Sequence, residues 1–493
     1  MNLTLLSVLI LWRLTSVFLV QTAFVPDEYW QSLEVAHHLA FGYGHLTWEW
    51  TVMIRSYMYP FLISILYRVL AALSLDFVSL LTTLPRVCHA VLAGYADYCF
   101  YKWTNSRWML YVLLLNWFWY YCATRTLINS VETACTIIAL SIFPWRFHCS
   151  HRGLDESTRF LWIVGLLCMA RPTAAIVWLP LCLYHICMSS EKRTLLVRYA
   201  LILFSCFSIS VLIDSYCYGT FVVTPWRFFR ANVLGSVGNT YGTEHAFWYL
   251  VSGLSVLLGL YYVLFVLSVL RIILFTHHHF QRVKIMIATI GWTLFVYSLL
   301  SHKEHRFVMP LLPLLICTGY YGLYNLRCAR FVRNCIWTLL ILSNVAPGLY
   351  LSLIHQRGTL DAMKFLRDVE ISRANSSSST LILTPCHATP LYSHLHVNAS
   401  IRFLTCEPNL DNVDDYVDEA DRFFADPTAW LDDNYVRNAN ATLPTYVITF
   451  DNTASNISDF LRNYKLIAKI FHAHFPQPNY GEYILLYKYA LFI

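Results

Sequence analysis

Charge is what this 493-residue chain has least of. Asp, Glu, Lys and Arg make up 13% of it, roughly half of what a globular domain carries. Apolar side chains make up 57%, aromatics 16%, and mean hydropathy is +0.49. So few charges cannot cover a soluble surface of this size, which excludes a cytosolic enzyme, a disordered tail and a nucleic-acid binder. There is no Asp-x-Asp triplet, the usual signature of a metal-held nucleotide-sugar donor, and no internal repeat. The one low-complexity run is Ser376–Ser379. The 15 cysteines show no zinc or redox spacing. Thirteen are scattered through the apolar part, where a thiol acts as a small apolar filler. His277-His278-His279 resembles a metal tract by composition alone. What remains is a polytopic membrane protein.

The charges are unevenly divided. Residues 1–354 carry 24 Lys and Arg against 13 Asp and Glu, and residues 355–493 carry 11 against 16. The first part is read as a membrane-embedded body, the second as a polar C-terminal domain. A bilayer core takes about 20 apolar residues per helix. Twelve apolar segments are present, near 3–24, 57–75, 78–101, 108–124, 130–147, 158–171, 173–189, 195–213, 247–275, 284–301, 307–325 and 333–353. The first lacks a small-residue cleavage site before Pro26 and is expected to stay as an anchor. Basic residues mark cytoplasmic loops. They cluster at Lys102/Arg107, Arg146/Arg152/Arg159, Lys192/Arg193/Arg198, Arg282/Lys284 and Arg327/Arg330/Arg333. Sequons at Asn375, Asn398, Asn440 and Asn456 put the C-terminal part in a lumen, whereas the match at Asn2 falls on the cytoplasmic side. A cytoplasmic start and a lumenal end need an odd number of spans. Segment 57–75 opens with Tyr-Met-Tyr-Pro, holds Arg68 and is the weakest. Laid along the lumenal side as an amphipathic or re-entrant helix, it leaves about eleven transmembrane helices.

Within 355–493, a helical pattern at Leu360–Val369 and strand patterns at Thr380–Leu383, Tyr446–Phe450 and Tyr483–Tyr487 predict a small α/β domain. In an oxidising lumen Cys386 and Cys406 can pair, closing a loop of about 20 residues at a gain of roughly 3 kcal/mol.

The expected lumenal loops hold the reactive residues. Pro26-Asp27-Glu28-Tyr29-Trp30 follows the first span, then come His37-His38, Trp48-Glu49-Trp50 and Arg55. Such a loop reads either as an aromatic belt with a solvated turn, or as a sugar site in which aromatic faces cover pyranose rings and carboxylates accept hydroxyl protons. Ser301-His302-Lys303-Glu304-His305-Arg306-Phe307 is the densest charged cluster of the apolar part. Its cations suit a phosphate or pyrophosphate, with Glu304 holding Lys303 or Arg306, unless it is simply a hydrated loop. Arg125-Thr126 with Asn129 to Glu132, and Arg171-Pro172, are further polar knots: functional groups or structural ion pairs. Arg13, Arg86 and Asp97 inside spans keep a transporter or scramblase in play, and a lumenal receptor or scaffold is a third class.

The stretch Phe24 to His38, with Leu46-Thr-Trp-Glu-Trp50, Arg55-Ser-Tyr-Met-Tyr-Pro60, Arg125-Thr-Leu-Ile-Asn129, Arg171-Pro-Thr173 and His302-Lys-Glu-His-Arg-Phe307, resembles the dolichyl-phosphate-mannose-dependent α-mannosyltransferases of the endoplasmic reticulum. Pro385 to His394 and Phe471 to Pro476 resemble the branch of that family that acts on the GPI glycolipid. The pattern departs at Ile128, where Ser or Thr is expected before Asn129. The resemblance implies a GT-C-like membrane body over 1–354, with its first lumenal loop at 24–76, and a lumenal domain over 355–493. It implies transfer of the third mannose, in α1,2 linkage, from dolichyl-phosphate mannose to the GPI precursor. A mannosyltransferase acting on dolichol-linked oligosaccharide is the runner-up. The donor's mannose is β-linked and the product α-linked, so the reaction inverts and needs one base, Asp27 with Glu28 second. His302, Lys303 and Arg306 are expected at the leaving phosphate, with Arg125 and Arg171 as helpers. Trp30, His37, His38, Trp48, Glu49 and Arg55 are expected around the substrates. No cofactor and no metal are expected, and the partners expected are the two lipid substrates and membrane lipids.

Overall fold

The structure is a computed structural model describing residues 2–145, 154–235, 242–274, 281–324, 330–371, 378–410, 413, 415–438 and 441–490. Arg146, Arg152, His277 to His279, Arg327, Asn375 and Asn440 lie outside the described residues.

Within the described residues, each of the twelve apolar segments is mainly helical. Nine are single helices: Leu3–Leu19, Met58–Ala72, Val78–Thr104, Ile128–Ile142, Leu154–Ala170, Ala174–Met188, Lys192–Tyr218, Gln281–Ser298 and Arg330–Leu353. Three are broken, each for a local reason. Segment 108–124 splits at Asn116, whose side chain caps the new helix by accepting from Trp119 N at 2.8 Å and donates to Leu257 O at 2.7 Å. Segment 247–275 turns by 120° between Tyr249–Leu258 and Tyr261–Leu274. Gly259 sits at that turn with φ 54°, a backbone that a side chain would strain. Segment 307–325 begins as a 3-10 turn, His305–Leu311, containing Pro310. By length and composition, Lys192–Tyr218 and the stretch Phe331–Ile371 can each cross a bilayer, and the bent pair is a third candidate. Five apolar helices are shorter, at 10–17 residues.

The chain forms two compact units. One comprises Met1–Phe18, Val52–Tyr59 and Arg86–Gly348. Inside it, Arg13 Nε meets Asp97 Oδ2 at 2.6 Å, both side chains fully buried. Trp119 Nε1 donates to Asp97 Oδ1 at 3.2 Å, and its ring lies 5.3 Å from the guanidinium. These two charges fasten helices to each other, which takes Arg13 and Asp97 out of the case for a transporter.

The other unit comprises Leu19–Thr51, Pro60–Pro85 and Leu349–Ile493. The sequence divides once, near 354, whereas the structure groups 19–51 and 60–85 with the C-terminal part. Backbone and side-chain hydrogen bonds explain it: Gln21 N to Ser352 O at 2.8 Å, Ala23 N to Gln356 O at 3.0 Å and Thr22 Oγ1 to Leu351 O at 2.5 Å. This unit holds a five-stranded sheet of β1 Ser379–Leu383, β2 Ser400–Phe403, β3 Tyr446–Phe450, β4 Tyr464–Phe471 and β5 Tyr483–Tyr489, in the order β2-β1-β3-β5-β4. β1 runs parallel to β2 and β3, and β5 is antiparallel to β3 and β4. Every residue of the central β3 is buried, as a strand covered on both faces requires. Leu381, Leu383, Phe423, Trp430, Val447 and Leu485 pack one core. Cys386 and Cys406 are joined as a disulfide with Cα atoms 5.8 Å apart.

Candidate functional site

In the first unit, Pro172 cannot donate to a helix and disfavours helical backbone before it. The helix Leu154–Ala170 therefore stops, a new one starts at Ala174, and Arg171 stands at the junction. Its Nε lies 2.7 Å from Glu132 Oε2, and its Nη1 donates to Asn129 Oδ1 at 3.4 Å. Asn129 Nδ2 donates to the Arg306 carbonyl at 3.3 Å. Arg306 grips Glu304 bidentately, Nε to Oε2 at 2.7 Å and Nη2 to Oε1 at 2.6 Å, while His302 Nε2 lies 3.2 Å from Glu304 Oε1. Both guanidinium groups lie 5.6 Å from the Phe307 ring centroid. Burial pushes the Glu304 carboxyl up, but Arg306 and His302 outweigh it and hold the group well below the usual carboxylate range. The structure thus joins Asn129, Glu132, Arg171, His302, Glu304 and Arg306 into one network.

Lys303 departs from the expected role. Its ammonium donates to Glu244 O at 2.9 Å and Leu300 O at 2.5 Å, and the residue is 6% exposed. Burial pulls it below the ordinary lysine range, partly opposed by Glu244. With Glu244 N donating to Ser301 O at 3.0 Å, Lys303 is a brace between two chain segments. Glu304 accordingly holds Arg306 and not Lys303. Arg125 is buried, with its guanidinium 4.0 Å over the Tyr121 ring and Nε donating to Tyr121 O at 3.2 Å. Arg55 is carried on a turn fastened by Asp214, which accepts from Tyr57 N at 2.7 Å and Ser56 Oγ at 3.0 Å. Tyr218 OH donates to the Arg55 carbonyl at 2.7 Å.

In the second unit, Pro26 opens a turn in which Tyr29 N and Trp30 N both donate to Pro26 O at 3.0 Å. Asp27 is half-buried on it, and Glu28 is buried. Trp30 is expected at the substrate, but it is 3% exposed and its Nε1 donates to His387 O at 3.1 Å and Thr389 O at 3.2 Å. Rings of His387, Phe403 and His45 pack around it at 4.5, 5.3 and 6.0 Å, so no open face is left for a pyranose. His37 is likewise fully buried, bonded through Nδ1 to Tyr43 O at 3.3 Å and through Nε2 to His396 Nδ1 at 2.9 Å. Burial, then His396, lowers its pKa to about 3. Burial, then His45, lowers His387 to about 4, with Asp27 pulling the other way. Trp48 and Glu49 are buried, and Glu49 accepts from Gln31 Nε2 at 3.2 Å. His38 is half-buried.

Sequence reasoning passed over Glu34. Its fully buried carboxylate accepts from Leu391 N at 2.8 Å, Ser393 N at 3.2 Å and Ser393 Oγ at 2.5 Å. The available signal was an acidic residue in the first turn of the helix Glu34–Phe41, next to Val35 and Ala36. His387, His396 and Asp76, 3.6 Å from His396 Nε2, carried no local signal.

Three comparisons bear on this arrangement. Residues 4–396 match the model of the Alg9-like mannosyltransferase family. The chain is 44% identical to GPI mannosyltransferase 3 of Drosophila melanogaster over 472 residues, covering 94% of this chain and 82% of the relative. It is 40% identical to human GPI alpha-1,2-mannosyltransferase 3 over 504 residues, covering 99% and 88%. Its fold is similar to that of ArnT from Cupriavidus metallidurans in a crystal structure with bound undecaprenyl phosphate, at a TM-score of 0.63 and 10% identity, covering 98% of this chain and 97% of that one. On that family match over most of its length, the chain belongs to the Alg9-like mannosyltransferase family.

Proposed function

We infer that the chain is a GPI α1,2-mannosyltransferase, adding the third mannose of the GPI precursor from dolichyl-phosphate mannose. The observation that carries this is near-full-length identity of 37–44% to relatives bearing that name. The network around Arg171 and Arg306 supports it chemically, because a polyprenyl phosphate leaving group needs fixed cations where its charge develops. The solved neighbour's bound undecaprenyl phosphate is a ligand of the same class.

The mechanism is a single inverting displacement. Asp27 takes the proton from the acceptor hydroxyl. Its half-exposure favours it over the buried Glu28. Arg171 and Arg306 hold the leaving phosphate, with His302 and Arg125 assisting, and Lys303 keeps their loop in shape. His38 and Arg55 serve the substrates, while Trp30, His37, Trp48 and Glu49 build the loop that carries Asp27. Cationic side chains do the work of a divalent metal, so activity is expected to persist in EDTA. The protein sits in the endoplasmic reticulum membrane with about eleven spans, with 57–75 on the lumenal side and residues 355–493 forming a lumenal α/β domain. Lipid analysis of cells lacking the protein tests the acceptor. A GPI precursor with two mannoses is expected to accumulate, and accumulation of a truncated dolichol-linked oligosaccharide instead refutes the assignment.

A further inference from the structure

Glu132 is a buried carboxylate in an apolar body, a costly arrangement unless its charge is matched. Its side chain is 1% exposed and Oε2 lies 2.7 Å from Arg171 Nε, while Arg171 itself is 12% exposed. Among the described residues neither Glu132 oxygen has an aligned hydrogen-bond donor, so Arg171 is its charge partner. Glu132 is therefore too enclosed to touch a substrate, and Arg171 is not.

The guanidinium is fixed on three sides. Nε faces Glu132, Nη1 reaches Asn129 Oδ1 at 3.4 Å, and the group lies 5.6 Å from the Phe307 centroid. Nη2 donates no hydrogen bond to the described residues. Arg306 differs, since Glu304 covers its Nε and Nη2 together. Asn129 and Glu132 are three residues apart on the helix Ile128–Ile142 and so share a face. One helical face thereby carries the anchor of Arg171 and, through Asn129 Nδ2, the brace on the Arg306 carbonyl.

We propose that Glu132 is the positioning residue of the donor-phosphate site, holding Arg171 by Nε so that its Nη2 meets a phosphate oxygen. This rests on the reading of Arg171 as a phosphate-binding cation. The test is steady-state kinetics on the full-length enzyme with dolichyl-phosphate mannose varied, normalised to folded protein. Arg171→Ala is expected to raise the donor KM about tenfold or more, and Glu132→Ala to do the same. Glu132→Gln, which keeps the side chain's shape and an oxygen facing Nε but loses the charge, is expected to recover part of the loss. The Glu132→Ala/Arg171→Ala double variant is expected to match Arg171→Ala alone, because Glu132 acts only through Arg171. A double variant about tenfold worse than Arg171→Ala overturns the proposal, as does Glu132→Ala with reduced folded yield and an unchanged donor KM. Arg171→Ala with an unchanged donor KM overturns the phosphate reading beneath it instead. Should Glu132→Ala fail to accumulate, Glu132→Asp, which retracts the carboxylate by one methylene, is expected to raise the donor KM above that of Glu132→Gln. The reverse order overturns the proposal.

Discussion

Lys303→Ala and Arg306→Ala are expected to fail in different ways, although the residues are three apart in one motif. Lys303 makes two hydrogen bonds, to Glu244 O and Leu300 O, and is 6% exposed. Bonds to a charged group are worth about 1.5–3 kcal/mol each, and losing both strands two carbonyls. Water entering the loop recovers part, leaving a net loss of about 3 kcal/mol in stability. Lys303→Ala is therefore expected to lower the thermal midpoint by several degrees, with turnover per folded molecule within about threefold of normal. Arg306→Ala removes a cation that the proposed mechanism sets at the leaving phosphate, worth about 3 kcal/mol or a hundredfold in turnover. Among the described side chains it also leaves Glu304 with the His302 contact. The sign of the linkage follows. A carboxyl held below its usual 4.5 contributes stability above that pH and loses it as pH falls through the folded value. In Arg306→Ala the guanidinium that opposes burial is lost, so Glu304 rises toward its usual range and that contribution shrinks. The assays are mannose transfer from dolichyl-phosphate mannose and thermal unfolding in detergent from pH 4 to 8. A Lys303→Ala variant that melts like wild type but turns over about a hundredfold more slowly refutes the brace. Normal turnover in Arg306→Ala removes Arg306 from the phosphate site.

Three further outcomes are expected. Asp27→Asn keeps shape and some hydrogen bonding but accepts no proton, so kcat per folded molecule is expected to fall by about 10² or more, with Glu28→Gln milder; near-normal kcat in Asp27→Asn would falsify the base assignment. His37, whose pKa is lowered to about 3 from 6.5, binds fewer protons folded than unfolded between those values, so stability is expected to fall as pH drops below about 6.5. Melting curves of a His37→Gln variant test this, and an unchanged acid dependence counts against it. Asn398 and Asn456 are both exposed and are expected to carry glycans. Unchanged gel mobility after endoglycosidase treatment, with protease access to the tail from the cytosol, would reverse the proposed orientation.

The membrane body was legible in the sequence because burial in lipid is decided by local composition. A segment such as 195–213 is apolar whatever surrounds it, and it appears within the helix Lys192–Tyr218. Strands covered on both faces were legible for the same reason, as at Tyr446–Phe450. β2 and β4 were missed because they are edge strands with one solvated face; Lys465 and Lys469 interrupt any apolar run in β4. The clusters at Asp27 and at His302 to Arg306 stood out as polar groups in an apolar setting, which is again a local property. Which partner each polar residue meets is not a local property. Arg13 finds Asp97 across 84 residues, and Trp30 and His37 find His387 and His396 across more than 350. Lys303 turns toward a carbonyl 59 residues before it, while Arg306 takes the carboxylate two residues before it. A cation in a motif declares its charge locally, but which acceptor it meets depends on which segments the fold packs against it, and only the tertiary structure decides that.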